Sequence, residues 1–171
     1  MKKIVLILCL FYSGIAFSQI NISNAKQDNW RLGGNVGMSF GSDDYFGFAI
    51  SPSLGYKITE DLEGGLTVGY RYSNWRDSKR NMFNAGPYLN YYTLNSIFVR
   101  AHYEHYTGTR KFKETSLTRS FDENALWIGA GFRSGGKVKV YAGMMYNVLY
   151  EKDDSMFANG IRPIVGVSFG I

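Results

Sequence analysis

From Trp30 onward the chain alternates apolar and polar residues with period two. In Trp30–Phe40 the even positions are Trp30, Leu32, Gly34, Val36, Met38 and Phe40, and the odd ones are Arg31, Gly33, Asn35, Gly37 and Ser39. Successive side chains of a β-strand point to opposite faces, so the pattern predicts a strand with one greasy face and one small, polar face. The second segment sets Phe46, Phe48, Ile50, Pro52, Leu54 and Tyr56 against Gly47, Ala49, Ser51, Ser53, Gly55 and Lys57. The third sets Leu62, Leu66, Val68, Tyr70 and Tyr72 against Glu63, Gly65, Thr67, Gly69, Arg71 and Ser73. In the fourth, Phe83, Ala85, Pro87, Leu89 and Tyr91 oppose Asn84, Gly86, Tyr88 and Asn90; in the fifth, Ile97, Val99, Ala101 and Tyr103 oppose Phe98, Arg100, His102 and Glu104. Three more follow, with apolar faces Leu126 to Phe132, Val138 to Val148 and Ile161 to Ile171. No stretch after the leading segment shows a helical period.

The connections alternate too. "ITED", "TLNS" and "SGGK" are short, whereas "GSDD", "NWRDSKR", "TGTRKFKETSLTRSFDE" and "EKDDSMFANG" are generally longer and more polar. An even number of strands with tight turns at one end and longer loops at the other predicts an all-β fold: an eight-stranded, antiparallel, up-and-down transmembrane β-barrel. Both termini then fall at the short-turn end.

A soluble eight-stranded barrel of the lipocalin kind alternates as well, but hides its apolar face inside. Three features favour the inverted arrangement. The polar face is rich in glycine and serine, which suit a narrow lumen. Aromatics of the apolar face gather near strand ends, with Trp30, Tyr56, Tyr91, Phe132 and Phe169 towards the short turns and Phe40, Phe46, Tyr70, Phe83, Tyr103 and Tyr146 towards the loops. Two such belts mark two lipid–water interfaces. Each apolar segment runs roughly 9–11 residues, the length of a tilted strand crossing hydrocarbon.

Composition adds little to the fold and more to the location. Twenty glycines and only three prolines agree with strands and tight turns rather than helices. The leading "MKKIVLILCLFYSGIAFSQ" has two lysines, an apolar run from Ile4 to Tyr12 and then small residues, the form of a secretory signal peptide with cleavage expected after Ser18. The apolar run is too short to span a bilayer as a helix. Cys9, the one cysteine, lies inside it, so residues 19–171, the expected barrel, hold no disulfide. Without Lys2 and Lys3 the net charge falls from +5 to +3, no argument for nucleic acid. Export and the barrel pattern together predict the outer membrane of a Gram-negative bacterium.

On these segments the chain resembles the small OmpA/OmpX-type outer-membrane barrels, and the resemblance covers the whole of the expected mature chain. It includes the closing "GVSFGI", similar to the alternating C-terminal strand by which such proteins are recognised for insertion; Phe169 stands two before the final Ile171. The resemblance implies architecture and location and says little of activity.

The candidate chemistry is sparse. His102 and His105 sit three apart, which on a strand sends one into the lumen and the other outward, so they cannot share a metal. Inward charges include Glu63, Arg71, Arg100, Glu104, Arg133 and Arg162, with Arg31, Lys57 and Lys139. A barrel of eight strands is only wide enough for side chains to fill, and charges there must pair or be hydrogen-bonded. We therefore expect a salt-bridged plug, with Glu63 and Glu104 answering several arginines and cations in excess.

The other candidates lie in the long loop "TGTRKFKETSLTRSFDE", where Arg110, Lys111, Lys113 and Arg119 offer contacts to lipopolysaccharide phosphates or to an acidic partner surface. The expected role is structural or surface-interacting, through the extracellular loops of a monomer, with no catalytic residue, cofactor or metal. One alternative is a lipid-modifying enzyme, such as an acyl-removing hydrolase working with serine, histidine and acid on the lipid-facing surface. For it only His105 and Thr107 share the outer face at the right spacing. The other is a binder of small ligands or anions in the loop-side mouth.

Overall fold

The computed structural model describes residues 29–41, 45–94, 96–115, 117–157 and 159–171. The expected signal segment lies outside the described residues. The strands are β1 (Trp30–Phe40), β2 (Phe46–Lys57), β3 (Leu62–Asn74), β4 (Ser78–Thr93), β5 (Ile97–Phe112), β6 (Thr118–Arg133), β7 (Val138–Asn147) and β8 (Ile161–Gly170). Each pairs antiparallel with its neighbour in sequence, and β1 meets β8 to close the barrel.

The barrel is inverted relative to a soluble protein. Val36, Leu66 and Phe132 on the outer face are 65, 63 and 70 % exposed, whereas Trp127 and His102 on the inner face are 1 and 4 % exposed. An apolar exterior around a polar, side-chain-lined interior suits lipid and not water, because so large a greasy surface in water drives association. The aromatic belts form cross-strand pairs: Trp30 against Tyr56 at 5.1 Å between ring centroids near the short turns, and Phe40 against Phe46 at 5.5 Å and Tyr70 against Phe83 at 4.9 Å near the loops.

Two expectations are corrected. The stretch read as the third long loop is mostly strand: β5 and β6 pair up to Lys111↔Thr118, leaving only a tight turn around Lys113. Arg110 and Lys111 thus belong to β5 and Arg119 to β6, while Ser78 to Arg80 of "NWRDSKR" start β4. The three strands β4, β5 and β6 have 16 residues each. At the usual rise and tilt that is roughly 40 Å along the barrel axis, well beyond an apolar band of about 25 Å. Apolar alternation ends where lipid ends, but backbone pairing continues into water.

Nor is the lumen filled throughout. Large inward side chains come from β4 to β7 (Tyr88, Tyr92, Phe98, Tyr106, Trp127 and Tyr141), and the void they border in the short-turn half, beside Glu63 and Arg100, is about 10 Å³. Tyr88 lies over Gly65 and Tyr141 over Gly166, so tight that a Cβ at either glycine would overlap a ring. Apart from Arg71, inward positions of β1, β2 and β3 in the loop-side half are mostly small (Gly37, Ala49, Ser51, Thr67), and there cavities of about 390 and 380 Å³ persist.

Candidate functional site

The inward charges sort into two clusters. In the loop-side half, Glu104 on β5 accepts hydrogen bonds from Asn84 Nδ2 at 2.7 Å and the Tyr106 hydroxyl at 2.6 Å, and forms an ion pair with Arg162 from β8. Arg162 also donates to the Tyr106 oxygen at 2.7 Å and lies over the Trp127 ring at 4.0 Å. His102, one inward position below, has Nε2 2.7 Å from Thr67 Oγ1 and 3.8 Å from Glu104 Oε1; its Nδ1 is buried with no hydrogen-bond partner.

In the short-turn half, Glu63 on β3 takes three neutral donors instead of an arginine: Tyr88 at 3.0 Å, Asn90 at 3.2 Å and Tyr92 at 2.8 Å. Arg100 reaches this cluster through Asn90 Oδ1 at 2.6 Å and stacks over Tyr88 and Tyr141, while Arg133 covers the Tyr92 ring at 3.6 Å. Among the described residues, the expected plug of carboxylates answering several arginines is therefore one carboxylate–arginine pair, Glu104 with Arg162, plus arginines held on aromatic faces, which attract cations through the ring quadrupole. Arg71 joins neither cluster. It faces the loop-side cavities and, among the described residues, has no hydrogen bond, ion pair or ring partner.

His105 points outward, as strand geometry requires. Its Nδ1 lies 2.8 Å from Asn124 Oδ1, which also accepts the Tyr103 hydroxyl at 2.9 Å. Thr107 stands one outward position further on, beside Asp122 of β6. This is a polar patch at the loop-side rim of the lipid face.

Beyond the apolar band, register makes a feature invisible in the linear sequence. Arg80 of β4 is directly opposite Arg110 of β5, and Arg110 is directly opposite Arg119 of β6. Like charges facing across strands destabilise a sheet. Burial, and then the neighbouring Arg110, hold Arg80 below its ordinary pKa. Arg80 sits against Trp75 and Phe121, with Nε buried and unpartnered; Arg110 donates to Ser78 Oγ at 3.2 Å and stacks on Phe112. None of the three has a carboxylate within ion-pair distance among the described residues. On the other face Lys79 stands opposite Lys111, while Lys113 in the turn donates to the Trp75 carbonyl at 2.7 Å.

Sequence reasoning missed the segment that covers the mouth. Phe157, from the β7–β8 connection, sets its ring edge-on to Tyr106 at 5.1 Å and Trp127 at 5.2 Å. Glu123 of β6 holds this segment by accepting from Ser155 Oγ at 2.7 Å and the Met156 amide at 2.6 Å. The signal was the apolar pair Met156–Phe157 inside an otherwise polar "EKDDSMFANG".

A closed barrel of eight antiparallel strands, greasy outside and polar within, has the fold of a small transmembrane β-barrel and resembles the OmpA/OmpX type in architecture. No protein-family model and no curated relative matches the sequence. Among solved structures the fold is similar to the outer membrane protein Ail of Yersinia pestis in a phospholipid bilayer nanodisc, at 14% identity over 85% of this chain and 100% of that one, with a TM-score of 0.50. Neisserial surface protein A aligns at 18% identity over 83% of this chain and 94% of its own, with a TM-score of 0.45. A de novo designed transmembrane β-barrel aligns at 12% identity over 86% and 100%, with a TM-score of 0.42.

Proposed function

We propose that the protein is a monomeric outer-membrane barrel of a Gram-negative bacterium that engages anionic groups at the cell surface through the end of its β4–β5–β6 sheet. The carrying observation is the row Arg80–Arg110–Arg119, three directly opposed cations beyond the apolar band. An arrangement that costs energy in the free protein becomes favourable when an anion bridges it, and arginine forks match phosphate oxygens. Lys79 and Lys111, outward at the same height, face the level of lipid headgroups, which favours lipopolysaccharide phosphates as the anion.

The test is binding of the folded protein, in phosphatidylcholine nanodiscs, to lipopolysaccharide and to its dephosphorylated form. At about 1 kcal/mol per surface cation, replacing Arg80, Arg110 and Arg119 together by glutamine should weaken binding by roughly a hundredfold, with the wild-type affinity falling as salt rises. Equal binding by the triple variant would remove this reading.

The enzyme reading has one observation in its favour, the His105–Asn124 pair on the lipid face with Thr107 beside it. Lipid mass spectrometry of membranes with and without the protein separates the two. A species shifted by one acyl chain and lost in His105→Ala would support the enzyme; the surface-interaction reading expects an unchanged profile.

A further inference from the structure

The barrel closes over only half its height. β1 pairs with β2 along its whole length, from Trp30↔Tyr56 to Phe40↔Phe46. With β8 it pairs only from Arg31↔Gly170 to Gly34↔Val167. Continued at the same register, Val36 would meet Val165 and Met38 would meet Pro163, but no such pairing forms. A Cβ placed on Gly37 would touch only Ala49 of β2 and nothing from β8.

The sequence builds this seam. The Ile171 amide donates to the Trp30 carbonyl and the Gly160 carbonyl accepts from Asn147, so odd residues of β8 turn their N–H groups towards β1. Pro163 is one of them, and its nitrogen has no hydrogen to give. The other two prolines act alike on their own ladders: pairing of β2 with β3 skips Pro52, and pairing of β4 with β5 skips Pro87. Only Pro163 stands where the barrel must close.

Unpaired backbone is costly in hydrocarbon and tolerated where it borders a hydrated cavity. Behind the seam lies a cavity with a polar wall, of about 390 Å³, with Arg71, Arg100, His102, Glu104 and Arg162 in that wall and the outward residues Val36, Met38, Pro163 and Val165 at its edge. Glu104 is already answered by Arg162, Asn84 and Tyr106, and Arg100 is held by Asn90 and the Tyr88 and Tyr141 rings, so among the described residues Arg71 is the wall cation with neither ion pair, hydrogen bond nor ring partner.

We propose that the β1–β8 seam is a lateral site for an anionic amphiphile, its headgroup in the lumen against Arg71 and its chain passing between Val36 and Met38 on one side and Pro163 and Val165 on the other into the membrane. The site rests on the membrane reading above and is separate from the arginine row. The charged end meets a cation in a polar chamber while the tail stays among apolar side chains, so each part of the ligand finds its own chemistry.

The experiment uses the folded protein in phosphatidylcholine nanodiscs, followed by amide NMR. Even residues of β1 face β8 and odd ones face β2, so the Val36 and Met38 amides should exchange with water quickly, while Asn35, Gly37 and Leu32 stay protected. A nitroxide-labelled fatty acid should then broaden Gly37 and Ile164 saturably and more than Val99 or Ile128 on the far side. Arg71→Gln should weaken this about tenfold, the scale of one lost charge-assisted contact, and Arg71→Lys should restore part of it. Protected Val36 and Met38 amides, uniform broadening around the barrel, or an unchanged affinity in Arg71→Gln would each overturn the proposal. So would inorganic phosphate displacing the probe at equal concentration, which would mean an anion site with no role for the chain. A protein that does not enter the discs would overturn the membrane reading as well; one that enters and broadens uniformly overturns this proposal alone.

Discussion

At Glu104 three donors from three directions converge on one buried carboxylate, and only one of them, Arg162, is charged. Removing that partner leaves an uncompensated charge in the wall of the barrel. Arg162→Met should therefore lower stability by about 3 kcal/mol or more, whereas Glu104→Gln combined with Arg162→Met should cost much less, because no orphan charge remains. Denaturant unfolding from lipid vesicles, followed by tryptophan fluorescence, measures both. His105, exposed on the outer face, should tolerate alanine within about 0.5 kcal/mol. The opposite fates of the two histidines were legible in the sequence, since strand alternation alone decides them. That Glu63 takes tyrosines while Arg71 goes unanswered was not. Those outcomes depend on which inward residues share a height, and register across strands is absent from a linear pattern.

The elements show where the pattern stops speaking. Alternation located all eight strands because each crosses lipid with one greasy face, but it faded at Thr107, where both faces of β5 and β6 become polar. For that reason the sequence pattern alone predicts a loop where the hairpin continues. If it is paired as described, the amides that bond across β5 and β6 between Thr109 and Phe112 and between Thr118 and Phe121 should be protected from hydrogen exchange by orders of magnitude relative to the Lys113–Thr115 turn; uniformly fast exchange would return the segment to a loop. The short turn after β4 carries a different strain. Leu94 holds φ at 49°, a left-handed conformation that a branched side chain resists. Leu94→Gly should raise stability by about 0.5–1 kcal/mol, read from the same unfolding curves. The sequence pattern places Pro52 and Pro87 on apolar strand faces but does not tell which ladder each interrupts. Their positions matter, because each removes a donor from one identifiable ladder.

For the whole molecule the governing fact is which face meets lipid. On the outer surface of β3, Leu66 and Val68 are well exposed, and Thr67 between them is buried inside. An arginine at Val68, near the middle of the apolar band, should cost about 2–4 kcal/mol in a bilayer. The most direct measurement is a nitroxide scan from Gly64 to Tyr72 in phospholipid vesicles, one cysteine at a time, which is practical because the only native cysteine is Cys9. Collision with oxygen, which concentrates in lipid, should rise at Leu66, Val68 and Tyr70 and fall at Gly65, Thr67 and Gly69, with period two and a maximum near Val68. A protein that leaves the vesicles and shows Leu66 and Val68 accessible to a water-soluble relaxant would contradict the account at its base.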